Sequence, residues 1–358
     1  MLPRLISLAV IGATACGGSY GGRPLAHPGA NDNANDNANA KAKRGIEDAG
    51  LPYTVLDART GHQIDTNAFW DKLATERVVC VGEEHKNPHH HWVELETVRR
   101  LAKKWPAFAL GMEMFQRPFQ GVLDDFAAHK IDQVALLSRS GWEDRWGYDY
   151  AFYGPTIAAA VAAHGALVAL NASQELTKKV VHHGLEALTT EERAQLPAEL
   201  KLDDARHRAW FAALMADMGE GDPHNPHGGE PAAPAQGSST PKVAPAAEGM
   251  PSAERIYTVQ VIWDETMADS AVRWLSANKD GRIVIMAGSG HCHDSAIVAR
   301  IKRRGVKEVV SMRSVIDDGQ GGVADEVAKP MTDFLIVLEL PEDAKQQLRE
   351  QRSKEGGE

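Results

Sequence analysis

The sequence predicts an α/β fold, a single domain with a mostly parallel sheet flanked by helices and interrupted by a long disordered insertion. Two observations carry this. Short apolar runs of strand length alternate with helix-period stretches on both sides of the insertion, and such alternation belongs to parallel sheets covered by helices. The stretch after the insertion is also too short for an α/β domain of its own. The chain has 358 residues, 43% of them hydrophobic, enough for one sizeable core.

Strands are expected at Arg77–Val81, Ala107–Met112, Ala166–Leu170, Arg282–Ala287, Val306–Met312 and Phe334–Leu338. Helix-like stretches lie between them, near His89–Lys104, Gln116–His129, Tyr153–Ala163, Asp203–Met218, Glu254–Ala277 and Asp294–Arg304. The insertion, 219–252, is 34 residues with 7 Pro and 6 Gly, and a loop of that length inside a compact domain reads as a disordered insertion. The domain is expected to span 51–348, with 349–358 as a charged tail.

The first residues read as processing signals. Arg4 precedes the apolar run Leu5–Ala15, and Ala13-Thr14-Ala15 leads directly into Cys16. A charged start, a short apolar stretch and small residues before a cysteine resemble a bacterial lipoprotein signal, 1–15, cleaved to leave Cys16 as the lipid anchor. The outer membrane is the expected location. The near-repeat Asn31-Asp32-Asn33-Ala34 and Asn35-Asp36-Asn37-Ala38 then lies in a stretch, 16–50, expected to be a flexible tether.

Composition excludes several classes. With 39 Lys+Arg against 49 Asp+Glu the net charge is −10, and phosphate recognition needs clustered cations instead, so no nucleic acid is expected. No apolar run reaches the ~18–20 residues of a spanning helix. Three cysteines make no disulfide framework. Cys80, inside a strand, and Cys292, after His291, are expected to be two free, buried thiols.

Four polar elements fall at the carboxyl ends of expected strands, where open α/β sheets bind ligands. They are Gly82-Glu83-Glu84-His85, Glu113, Asn171 and Gly288-Ser289-Gly290-His291. Two histidines and two carboxylates suit either metal binding or acid–base work. Gly-x-x-His is a weak motif, and strand context alone singles out His85 and His291. In the helix Glu254–Ala277, Gln260, Trp263, Asp264, Met267 and Ala268 share one face. A buried Asp264 needs a partner, either a ligand or a neighbouring loop. Trp142, Trp146, Tyr148, Tyr150, Phe152 and Tyr153 place six of the 22 aromatic residues within twelve positions. They form either a pocket wall for a flat ligand or a satellite core beneath a loop.

These strings carry a family resemblance. Gly82-Glu83-Glu84-His85 through His89-His90-His91 looks like the opening signature of the ChaN-like proteins of the haem-binding-uptake/Tiki superfamily. Met112-Glu113-Met114-Phe115 with Gln120, Trp142 and Trp146 with Tyr153 and Pro155, Leu170-Asn171, Gln260 to Ala268, and Gly288-Ser289-Gly290-His291 follow in order. The resemblance covers about 55–312; Lys86 stands where Asp is common and Glu94 where Gln is common.

The resemblance implies a surface lipoprotein that binds haem or another iron-containing small molecule, through His85, His90, Glu113, Tyr153, Asn171, Gln260, Asp264 and His291. The axial ligand stays open among Tyr148, Tyr150, Tyr153 and the histidines. The alternative is a hydrolase of the Tiki or erythromycin-esterase type, with Glu83 or Glu113 activating water. In that reading His85, His291 and Glu83 hold a divalent metal ion such as zinc or manganese. Oligomeric state is left open, a homodimer being one option.

Overall fold

The computed structural model describes residues 45–220 and 252–355. The expected signal peptide, Cys16, most of the tether and all but the ends of the insertion lie outside the described residues. Packed structure begins before Leu51, with a 3-10 turn Ile46–Asp48 whose Ile46 is buried together with Ala49. At the other end, a helix Glu342–Glu355 runs through much of the expected tail.

Eight strands form one sheet in the order β2-β1-β8-β7-β3-β6-β4-β5. They are β1 Tyr53–Asp57, β2 Gln63–Ile64, β3 Val78–Glu83, β4 Phe108–Gln116, β5 Ala166–Asn171, β6 Arg282–Gly288, β7 Val309–Asp317 and β8 Phe334–Glu339. Neighbours from β8 to β5 run parallel, whereas β1 is antiparallel to both β8 and β2. All six expected strands form. β1 and β2 were not foreseen, because only Val55 in β1 is fully buried and no apolar run marks them.

The two-residue period of a strand puts alternate side chains on opposite faces. Val79, Val81, Leu110, Met112, Val284 and Met286 pack with Phe69, Leu73, Val93, Val98, Leu101 and Ile157 on one face. Val78, Cys80, Ala109, Ile283 and Ile285 pack with Met267, Ala271, Leu275, Ile297 and Ile301 on the other. Both faces are therefore covered, as a parallel sheet requires.

Local chemistry starts the two helices that matter most. Helix Pro88–Ala102 has Pro in its first turn, and the Asn87 side chain caps it by accepting from the His89 N–H. Helix Ala253–Ala277 starts at Ser252, whose side chain accepts from the Arg255 N–H. Helices Thr66–Thr75, Gln133–Ser140, Gln174–His183 and Gly322–Ala328 add to those expected.

One expectation is overturned. Cys80 and Cys292 are not free thiols but a disulfide, with Cα atoms 5.4 Å apart, a normal span for that bond. After β6 the chain folds back over β3, where Ser289 N–H donates to the Glu83 carbonyl at 2.9 Å. That return brings Cys292 onto β3 although 212 residues separate the pair in sequence.

Candidate functional site

Three adjacent central strands, β3, β6 and β4, end together. β3 ends in Glu83, with His85 two residues beyond, and β6 ends in Gly288, leading to His291. β4 continues past Met112 to Gln116, with a register irregularity against β5 across the stretch that carries Glu113. Tight spacing explains Gly288. A Cβ there would lie 3.0 Å from His85 Cε1, 3.4 Å from His85 Nε2 and 3.7 Å from Glu113 Oε2.

Each histidine is held by its own carboxylate. His85 Nδ1 and Glu83 Oε1 are 2.5 Å apart. His291 Nδ1 meets Asp264 Oδ1 at 2.7 Å, while His291 Nε2 lies 3.3 Å from Glu113 Oε1. The other Glu113 oxygen accepts from the Gly288 N–H at 2.7 Å. Glu113 thus sits centrally, bonded to the β6 terminus and acting electrostatically on both histidines.

Burial and charge oppose each other here, and charge wins. Burial alone would strip the proton from His291, but Glu113 and Asp264 outweigh it and raise its pKa to about 10. His85 is also raised, burial again yielding to Glu83. Burial would neutralise Asp264, yet Arg300, His207 and His291 hold it well below the usual carboxylate range. Glu113 is lowered despite burial by His291 and His85. At neutral pH His291 is therefore an imidazolium between the Asp264 and Glu113 carboxylates.

The remaining expected residues divide. Gln260 belongs to the site, its Nε2 lying 3.2 Å from His291 Nδ1 and 3.4 Å from the Gly290 carbonyl. His90 staples the preceding turn, its Nδ1 accepting from the Glu84 N–H at 3.1 Å. Burial and Arg313 push its pKa down to about 3. Asn171 ends the edge strand β5, where its Oδ1 accepts from the Ala172 N–H at 2.8 Å. Tyr153 is 0% exposed, its ring packed against Trp142, Trp146 and His91.

Several members escaped sequence reasoning. His91 lies behind Glu83, 3.9 Å from its Oε2, and pairs with Glu94 at 2.8 Å. Against the cost of burial, Glu94 and Glu83 raise the His91 pKa to about 9. His207 and Arg300 converge on the second oxygen of Asp264, at 3.0 and 3.8 Å. A polar residue in a helix period, such as His207 in Ala205–Glu220, looks solvated in sequence, and nothing signals its burial. Trp146 and Tyr148 do come from the expected aromatic cluster, with rings 4.8 and 4.7 Å from His85.

His85, His291 and Glu83 do come together, but among the described residues no three His, Cys, Asp or Glu are arranged to hold one metal ion. The arrangement can exchange protons through His85 and His291, and it presents an aromatic wall of half-buried Trp146, Tyr148 and Tyr150.

A strand-end site with paired histidines and carboxylates on an α/β sheet defines a class rather than a protein. The family model described as haem-binding uptake, Tiki superfamily, ChaN matches residues 69–301, and the chain belongs to that family. ChaN of Campylobacter jejuni, solved with cofacial haem binding, is similar in structure with a TM-score of 0.57 at 14% identity. The match covers 80% of this chain and 96% of that one, and at such identity it bears on the fold alone. The type III effector HopBA1 matches with a TM-score of 0.38 at 11% identity, over 76% of this chain and 92% of that one, too distant to carry more. No curated protein matches the sequence.

Proposed function

We propose that this chain is an exported lipoprotein that binds haem at the carboxyl ends of β3, β4 and β6. Membership of a haem-binding family supports the ligand. The single observation that supports the location is His85. Its Nδ1 is spent on Glu83, while the Nε2 edge faces Gly288 and the ring abuts Trp146 and Tyr148.

The donors present fit the group. When bound, haem would supply an iron that accepts His or Tyr as a ligand. His85 would hold the iron through Nε2, with Nδ1 kept on Glu83, the carboxylate support common behind ligating imidazoles. Tyr148 is the half-buried phenol beside it, and burial with the charges of Glu83 and Glu113 keeps that phenol protonated when free. The buried Trp146 Nε1 has no hydrogen-bond partner, so the wall has polar capacity to spare. Tyr153 backs the wall. Titrating haemin into purified protein should give a saturable Soret band at one haem per chain. A flat titration would overturn the reading.

Cys16 is proposed as the lipid anchor, in the outer membrane, with iron acquisition as the role. The Cys80–Cys292 disulfide supports an oxidising compartment. Cys16→Ser should move the protein from the membrane to the soluble fraction, and unchanged partition would sink the anchor. Oligomeric state, with a homodimer as one option, is to be checked by light scattering with and without haem.

One observation favours a second reading. Glu113, ionised and paired with His291, which Asp264 orients, resembles a general base able to activate water. A hydrolase would turn over a model ester or peptide without haem and lose that activity in Glu113→Gln. If it depends on metal, purified protein would carry stoichiometric zinc or manganese.

A further inference from the structure

We infer that His207 is a positioning residue of the site, fixing His291 through Asp264; the inference rests on the haem-site reading above. Asp264 is 0% exposed and has two oxygens to satisfy. Oδ1 takes the His291 Nδ1 proton at 2.7 Å, and Oδ2 stands 3.0 Å from His207 Nε2. A carboxylate held at one oxygen can turn about its Cβ–Cγ bond and carry the bonded imidazole with it. A ring pressed against the other oxygen, beside Arg300 at 3.8 Å, resists that rotation, so His207 helps to set the plane of Asp264 and thereby of His291.

The proton inventory of His207 is consistent. Its Nδ1 lies 3.1 Å from the Tyr257 hydroxyl, with which it shares a hydrogen bond. With the Tyr257 hydroxyl as donor to Nδ1, the Nε2 proton is left to face Asp264 Oδ2 at 3.0 Å, a close contact rather than an aligned hydrogen bond. His207 is 0% exposed and cannot turn to water instead. Its helix, Ala205–Glu220, is also firmly seated. Arg208 makes two 2.8 Å bonds to Glu254, Asp204 Oδ1 accepts from the His207 N–H at 3.0 Å, and the Trp210 ring lies 4.4 Å from that of His293. His293 is two residues beyond His291, so this helix meets the histidine loop as well as Asp264.

The test uses the purified full chain with His207→Ala and His207→Gln. Glutamine places an N–H near the imidazole Nε2 position and should still donate to Asp264. Two readouts are taken, haem affinity and the long-range nitrogen–proton spectrum of the histidine rings without ligand. The Ala variant should bind haem about tenfold more weakly, the low end for groups that orient a site residue, and glutamine should recover most of that. In the spectrum, the sheltered His291 Nδ1 proton should be present in wild type and the Gln variant and lost in the Ala variant. A merely structural role would lower the melting temperature in both variants and leave that proton in place, which overturns the inference. Absence of the proton from wild type overturns it as well. If wild type binds no haem, the functional proposal fails and the ring spectrum alone decides the role of His207.

Discussion

Cys80 and Cys292 are covalently joined, so the loop that carries His291 is tied to the middle of the strand that presents Glu83. The tie spans 212 residues of sequence, and both cysteines are 0% exposed. A cross-link of this kind restricts the unfolded chain and holds the two halves of the site in one register.

Replacing both cysteines by serine should lower the unfolding free energy by about 2–4 kcal/mol, the usual range for a native disulfide. Urea denaturation checks this. Thiol titration of denatured, unreduced wild type should find neither Cys80 nor Cys292 reactive, and two reactive thiols would refute the bond.

His85→Ala and His291→Ala should each weaken haem binding, because both rings act on Glu113. The double variant should lose less than the sum of the singles, since residues sharing one site are coupled. Strict additivity in haem titrations would place them in separate sites.

Gly288→Ala should disturb the site more than the fold. The added methyl would press on the His85 ring at 3.0 Å, tighter than ordinary contact. A stability loss of about 1–3 kcal/mol is expected for such overpacking, with haem affinity falling alongside. Wild-type affinity with an unshifted Soret maximum would show that His85 does not need its present place.

Stability should fall as pH drops below the ordinary histidine range. Burial pushes His90 and His293 down to about 3, so both fold neutral, whereas each titrates near 6.5 in the unfolded chain. A depressed folded pKa contributes stability that is present above the unfolded value and lost as pH falls towards the folded one. The window is therefore roughly pH 6.5 down to 3. His90→Asn keeps an acceptor for the Glu84 N–H but cannot titrate, and should flatten the change in unfolding free energy between pH 7 and pH 5. An unchanged slope would mean that His90 is charged when folded.

His291 should act in the other direction. Its pKa is raised to about 10, so its contribution is complete below 6.5 and disappears as pH climbs through 10. Chemical denaturation between pH 7 and pH 10.5 should show a decline that His291→Ala lacks.

The sequence by itself determined the six parallel strands, the polar residues at their ends and the helix face bearing Gln260 and Asp264, because all of these follow from local periodicity and from which residue ends each apolar run. The same local rule does not say where Asn171 and His90 lie in the fold. Asn171 ends the edge strand, and His90 turns back to the Glu84 backbone. Strand order and side-chain direction decide such matters, and neither is written in a run of neighbouring residues. The Cys80–Cys292 bond, the central place of Glu113 and the approach of His207 and Arg300 to Asp264 likewise came only with the tertiary structure. Each depends on segments far apart in the chain meeting at a few ångströms, and that distance is set by sheet register and helix docking acting together.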